Sequence, residues 1–232
     1  MRILVVGASR GLGRAVVDGL AGDGHDVTGV SRTRPAVVEA QWIEADFGVP
    51  GRAAESIADQ APDELDVIIY NLGIWEATAF TDDYSFLAQS AEATEALVAA
   101  NVTGPLLVLR RLLPRLLDSA QPKIILTGST SGLPRSGRPE VAFGASKNAL
   151  NGIADALREN YREQRLAVTV LQLGYLNTDD PLHTPKARAA EAGRGTQIPV
   201  HDVLDVIRML LGLSPASFVR ELVMPAILDE RF

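Results

Sequence analysis

Gly7, Gly11 and Gly13 follow directly on the apolar run Ile3–Val6 and open an amphipathic stretch, so a strand, a tight turn and a helix are expected to meet there. Residues without a Cβ let the backbone approach a pyrophosphate, and the first helical turn offers free N–H groups and the positive end of its dipole. The spacing is Gly-x-x-x-Gly-x-Gly, looser than Gly-x-Gly-x-x-Gly, with the same physics. Gly7, Ser9, Arg10, Gly11, Leu12 and Gly13 are the residues expected to cradle a dinucleotide phosphate. The alternative is a glycine-rich turn with no ligand.

The second apolar run ends Val30-Ser31-Arg32-Thr33-Arg34 with no carboxylate. An acidic residue there would bind a ribose 2′-hydroxyl and repel a 2′-phosphate. Ser31, Arg32 and Arg10 instead suit a phosphate dianion by charge and bidentate hydrogen bonding. NADP(H) is therefore the expected cofactor; a solvated arginine turn is the alternative.

These residues need a frame. The 232 residues are 47% hydrophobic and 22% charged, ordinary for a folded domain of this length. Short β-branched runs at Arg2–Val6, Asp26–Val30, Gln41–Glu44, Asp66–Tyr70, Lys123–Thr127, Ala167–Leu173 and Phe218–Val223 alternate with helical stretches. Those stretches are Gly11–Ala21, Gly51–Gln60, Ser85–Asp118 with a bend or a split near Asn101–Pro105, Phe143–Gln164 and His201–Leu211. The alternation predicts an α/β fold of Rossmann type, doubly wound, with a mostly parallel seven-stranded sheet and helices on both faces. One domain over residues 1–232 is expected, with Asn177–Pro199 as a mobile lid.

A net charge of −7 and a pI near 5.0 argue against nucleic acid as a partner. The chain has no cysteine, and its histidines, His25, His183 and His201, show no metal-ligand spacing and read as surface or loop residues. No metal is expected. The strand opens two residues into the chain, leaving no room for a signal segment, and no apolar run is read as approaching the ~20 residues of a membrane span. A soluble cytoplasmic protein is the expectation.

Further matches lie at the ends of the predicted strands. They are Ala45-Asp46-Phe47, Tyr70-Asn71-Leu72-Gly73, Asn101-Val102-Thr103, Gly128-Ser129-Thr130-Ser131-Gly132, Lys147, and Leu173-Gly174-Tyr175-Leu176-Asn177-Thr178. In that order, with the glycine loop, they resemble the short-chain dehydrogenase/reductase family over nearly the whole chain. The resemblance implies that Asp46 and Phe47 hold the adenine, and that Asn71 and Gly73 border the cofactor. It also implies that Asn101 holds a relay water, Ser129 orients a substrate oxygen, Lys147 fixes the nicotinamide ribose, and Gly174, Leu176 and Thr178 lie beside the nicotinamide. Thr130 fits the family's usual spacing, but the Gly-Ser-x-x-Gly context favours Ser129.

The departure is at Phe143, where the family keeps the tyrosine of a Tyr-x-x-x-Lys pair. Positions four apart share a helix face, and there the ammonium would lower a phenol pKa so that it could protonate a carbonyl oxygen. Phenylalanine keeps the ring and cannot donate. Three readings stay open: a tyrosine replaced to trap a complex, a natural enzyme using another donor (Tyr175, Ser129, Thr130 or His183), or a silent NADP(H)-binding sensor or scaffold. The expected substrate is a small or medium carbonyl or alcohol compound, with Trp75 as a candidate wall or a packing residue. Arg135 and Arg138 are available to an anionic group or simply solvated. The resemblance also implies a homodimer or homotetramer paired through the two long central helices.

Overall fold

Leu4 and Val6 face one side of a sheet and Ile3 and Val5 the other, and all four are buried, because helices cover both faces. The computed structural model, which describes residues 1–231, has strands β1 (Arg2–Val6), β2 (Asp26–Ser31), β3 (Gln41–Glu44), β4 (Val67–Tyr70), β5 (Lys123–Thr127), β6 (Ala167–Leu173), β7 (Leu176–Asn177), β8 (Ile198–Pro199) and β9 (Glu221–Met224). Between them run α1 (Gly11–Gly22), α2 (Pro50–Gln60), α3 (Ala91–Val98), α4 (Gly104–Leu117), α5 (Val141–Asn160), α6 (Lys186–Ala192) and α7 (Val200–Leu211).

Seven strands form one sheet in the order β3-β2-β1-β4-β5-β6-β9. Every pairing in it is parallel, so the expected mostly parallel sheet is wholly parallel. Ala53, Ile57, Val108, Leu112, Leu116 and Leu150 from α2, α4 and α5 fill one face. Val16, Leu20, Leu204 and Ile207 from α1 and α7 fill the other. The chain winds outward in both directions from β1 and β4, which opens a crevice at the carboxyl ends of those strands, where ligands of such sheets bind.

Of the bend or split expected near Asn101–Pro105, the split is absent and the helix is irregular there instead. α3 and α4 run together through one π turn at Ala99–Thr103, with Pro105 in the first turn of α4, where it has no hydrogen bond to lose. The resulting helix, Ala91–Leu117, is 27 residues long with a window of mean hydropathy 1.4, so it is long and apolar enough to cross a membrane, contrary to the sequence expectation. Its apolar residues Val108, Leu109, Leu112 and Leu116 are buried in the sheet's core and Leu97 is buried as well, which accounts for that hydropathy.

One further expectation changes. His201 is buried at the start of α7, with Nε2 3.1 Å from the Leu182 carbonyl, so it is not a surface residue. Asn177–Pro199 has built structure: β7 pairs with β8, α6 spans its middle, and Asn177 bonds the Ala189 carbonyl (3.0 Å) and Asp180 (2.8 Å).

Candidate functional site

The turn after β1 is closed too tightly for side chains. Gly7 has φ +84°, and a Cβ on it would lie 2.6 Å from the Leu72 main-chain nitrogen. A Cβ on Gly13 would lie 2.0 Å from the Gly7 carbonyl oxygen. Contacts that short force the backbone to move, so glycine is required at both places. The turn delivers the start of α1 into the crevice with no capping side chain and no acidic residue in its first turn, leaving the N–H groups of an anion site open. Ser9 and Arg10 are exposed beside it, whereas the side chain of Leu12 is buried in the core, so only its main chain can face a ligand. Thr178 reaches the same turn: its Cγ2 would sit 3.2 Å from a Cβ on Gly11.

At the end of β2 the hydroxyl of Ser31 is already engaged, donating to the Thr33 carbonyl (2.7 Å) and accepting from Trp42 Nε1 (3.1 Å). Ser31 thus shapes the turn that carries Arg32. Arg10 and Arg32 are exposed, and among the described residues neither side chain makes a hydrogen bond or ion pair. Asp46 is exposed and accepts from the Gly48 N–H (3.0 Å), whereas Phe47 is a core ring packed edge-on against Tyr70. The side chain of Phe47 therefore cannot meet the adenine, and any contact from that residue falls to its main chain.

Asn71 ties three strand ends together: Nδ2 donates to the Gly7 carbonyl (3.2 Å) and Oδ1 accepts from Thr127 Oγ1 (3.1 Å). Thr127 also offers its carbonyl to Lys147 Nζ (2.8 Å). Gly73 leaves room for that ammonium, since a Cβ there would lie 3.0 Å from Nζ. Lys147 is 5% exposed, and burial lowers it from 10.5 to about 8. Between about 8 and 10.5 the unfolded chain holds a proton at this residue that the folded protein has lost. Stability therefore rises with pH across that window, and below about 8 the full penalty is carried. Denaturant unfolding of wild type and Lys147→Met from pH 7 to 10.5 should show this slope in the wild type only; parallel profiles would contradict it.

Ser129 stands at the end of β5 in extended backbone, its N–H donating to Gln172 Oε1 (3.0 Å) and its Oγ accepting from the Ser131 N–H (3.1 Å). It is part-exposed, whereas Thr130 is buried. Asn101, in the π turn, donates to the Ile74 carbonyl (2.7 Å) and to Ser146 Oγ (2.9 Å) and accepts from the Ile74 N–H (2.8 Å). Both amide hydrogens are thus engaged in clamping the loop after β4 to α5. A relay water at Asn101 would have to use its main chain or remaining lone pair. Gly174 and Leu176 are held through main-chain bonding, Gly174 N–H to the Met224 carbonyl (2.9 Å) and Leu176 in β7.

Phe143 lies one turn before Lys147 on α5, buried, with Nζ 5.7 Å from its ring centroid. Phe80 packs edge-on between Phe143 (5.2 Å) and Tyr175 (5.7 Å), and Trp75 covers Phe143 (6.3 Å). Arg138 is neither solvated nor open to a substrate anion. It forms a buried ion pair with Asp229 (2.5 Å) and lies 4.9 Å over the Tyr175 ring.

Sequence reasoning missed Glu76, Glu140, Tyr84 and Asp229. Glu76 Oε1 accepts the N–H groups of Ala142 (3.0 Å) and Phe143 (3.2 Å) and the hydroxyl of Tyr84 (3.3 Å). Glu140 Oε1 accepts from the Phe80 N–H (3.1 Å). Burial raises the Tyr84 phenol, with Glu76 and Glu140 adding to the rise, so it stays neutral between Glu76 and the Val141 N–H. A groove of about 520 Å³ lined by Arg158, Arg162, Arg165 and Arg220 lies at the amino ends of β5 and β6, opposite the crevice, so size does not locate this site.

A parallel doubly wound sheet, an open helix start behind a glycine turn and a buried lysine facing it define a dinucleotide-binding oxidoreductase frame. The chain matches the family described as short chain dehydrogenase over residues 1–186, and it belongs to that family. It is 28% identical over 181 residues to the 3-oxoacyl-[acyl-carrier-protein] reductase MabA of Mycobacterium tuberculosis, covering 76% of this chain and 70% of that one. To the NADPH-dependent pterin aldehyde reductase of Arabidopsis thaliana it is 30% identical over 198 residues, covering 76% and 75%. Its fold is similar to serine dehydrogenase in a closed form with NADP+, with a TM-score of 0.79 at 20% identity over 97% of this chain and 94% of that one. The Pseudomonas aeruginosa RhlG/NADP complex gives 0.77 at 22% identity, over 98% and 95%.

Proposed function

We propose that this chain is an NADP(H)-dependent reductase of small or medium organic substrates, with Phe143 standing where its family keeps the proton-donating tyrosine. The observation that carries the reading is the meeting of the uncapped α1 start with Lys147 and Ser129 at the carboxyl ends of β1, β4 and β5. The residues fit the group. The glycine turn accepts a pyrophosphate, Arg10 and Arg32 have guanidiniums unpaired among the described residues to meet a 2′-phosphate, and Lys147 has a donor for the ribose. NADPH, when bound, supplies a hydride to an electrophilic carbon.

The chain's own groups position that carbon. Ser129 offers its hydroxyl to a substrate heteroatom. Lys147 holds the ribose while anchored to the Thr127 carbonyl. Asn101 acts as a positioning residue, fixing the loop of Ile74 and Trp75 against α5. Residues 1–232 act as one unit, Asn177–Pro199 closes over the substrate, and Thr178 meets the glycine turn. Leu106 and Val98, exposed on the long helix, support pairing of copies into a homodimer or homotetramer. The absent hydroxyl at Phe143 favours a second reading, a silent NADP(H)-binding sensor.

Arg32→Asp tests the cofactor. Calorimetric titration should show NADPH affinity falling by about two orders of magnitude, as one charge-assisted pair becomes a repulsion. NADH affinity should change less than threefold. Equal losses for both cofactors would overturn the assignment of Arg32 to the 2′-phosphate.

A further inference from the structure

A carbonyl that receives a hydride becomes an alkoxide and has to be protonated, which is the task of a general acid. An iminium carbon that receives a hydride becomes a neutral amine and needs no proton. Phe143 removes the acid, and what surrounds Phe143 suits a cation. Phe80, Phe143, Trp75 and Tyr175 pack edge to face, with successive centroids 5.2 to 6.3 Å apart. The faces of such rings attract organic cations. Trp75 is 54% exposed, which opens the cluster to solvent.

Two buried carboxylates stand behind the rings, Glu76 at 4% and Glu140 at 3% exposure. Each is bound through Oε1 to the main chain of a ring residue, Glu76 at Phe143 and Glu140 at Phe80. The Oε2 of each has no hydrogen-bond partner among the described residues. A buried acceptor left in that state carries a desolvation penalty, and a cation bound nearby offsets it. Phe80 is also held at φ +67°, a left-handed conformation that a bulky residue adopts only where its surroundings impose it. Arg138 already lies over the Tyr175 ring (4.9 Å), balanced by Asp229, and Lys147 lies 5.7 Å from the Phe143 ring, bound to the Thr127 carbonyl, so Trp75 and Phe80 are the rings with no protein cation against them among the described residues.

We infer that the cluster of Trp75, Phe80, Phe143 and Tyr175, backed by Glu76 and Glu140, binds a cyclic or aryl iminium ion whose C=N⁺ carbon is reduced. The inference rests on the reading of the chain as an NADP(H)-dependent reductase. In the step, a C4–H bond of NADPH breaks and its electron pair forms a C–H bond at the iminium carbon. The C=N π pair becomes the nitrogen lone pair, giving an amine and NADP⁺. No proton leaves the protein.

The test compares N-methyl-dihydroisoquinolinium with α-tetralone, a neutral ketone of similar shape. Tryptophan fluorescence and calorimetry on the cofactor-free protein should show the cation binding at least ~tenfold tighter than the ketone. Glu76→Gln and Glu140→Gln keep an acceptor for the backbone N–H groups, and each should weaken cation binding ~tenfold with ketone binding unmoved. With NADPH, wild type should reduce the iminium at least ~100-fold more efficiently than the ketone, and Phe143→Tyr should raise ketone reduction alone. The wild-type comparison does not depend on how the variants fold. Ketone bound and reduced as well as the iminium would overturn the inference and leave the reductase reading standing. NADPH bound, with neither compound reduced by wild type or Phe143→Tyr, would overturn both.

Discussion

Phe143→Tyr is expected to raise kcat/KM for ketone reduction ~10²–10⁴-fold, the contribution of a positioned general acid. The substitution adds one oxygen to a ring already fixed by Phe80 and Trp75, on the helix face that carries Lys147. The ammonium lies 5.7 Å from that ring, close enough to favour a phenolate and so to tune the new hydroxyl toward proton transfer. NADPH affinity should change less than threefold, because Lys147 and the glycine turn are untouched. Steady-state NADPH oxidation against a ketone panel reads the result. Equal turnover in both proteins would mean that another group already donates the proton.

The largest effect on stability is expected at Asp229→Asn, a loss of about 3–5 kcal/mol, because the change leaves the Arg138 guanidinium buried and uncompensated. The two side chains are 5% and 3% exposed, so solvent cannot take over the role of the carboxylate. For a chain of this length that loss corresponds to a fall in Tm of about 6–20 °C. Arg162→Ala, which breaks an exposed pair with Glu159, should stay within about 1 kcal/mol. Pairing Asp229→Asn with Arg138→Met should restore much of the loss by removing the stranded charge. Calorimetric scans of the four proteins read this directly. Because Arg138 also lies over Tyr175, the single variant should weaken substrate binding as well as stability. An Asp229→Asn protein as stable as wild type would show that the pair is not closed to water.

Where burial sets the sequence pattern, the pattern was readable. β1, β5 and β6 have the ends expected of them, since a strand covered on both faces is apolar along most of its length. β9 is an edge strand with alternating exposure, and Phe218, expected in it, is 45% exposed outside it; an apolar residue there marks no buried strand. Pro105 misled because proline breaks a helix interior but suits a first turn, and the π turn that makes a new first turn there leaves no sequence signature.

The site divides in the same way. The glycine turn was legible because its backbone geometry demands glycine, whereas Asn71, Ser129 and Lys147 were singled out by the order of motifs shared with the family. Glu76 and Asp229 were not, since each meets its partner across the fold, at Phe143 and Arg138, from a loop with no periodicity. Glu140 directly precedes α5, but nothing local shows that its carboxylate turns to Phe80. Ser31 and Phe47 were read as cofactor contacts by position, and their side chains prove to serve the turn and the core.

Single-turnover transfer of deuterium tests the central claim most directly. The protein, in stoichiometric excess, is mixed with NADPH labelled at one face of C4 and with a ketone or iminium acceptor, and the product is read by mass spectrometry. The account predicts label from one face only, at the carbon that was double-bonded to oxygen or nitrogen. NADPH bound at full occupancy, with no label transferred from either face, would contradict it and leave a binding protein in a reductase fold.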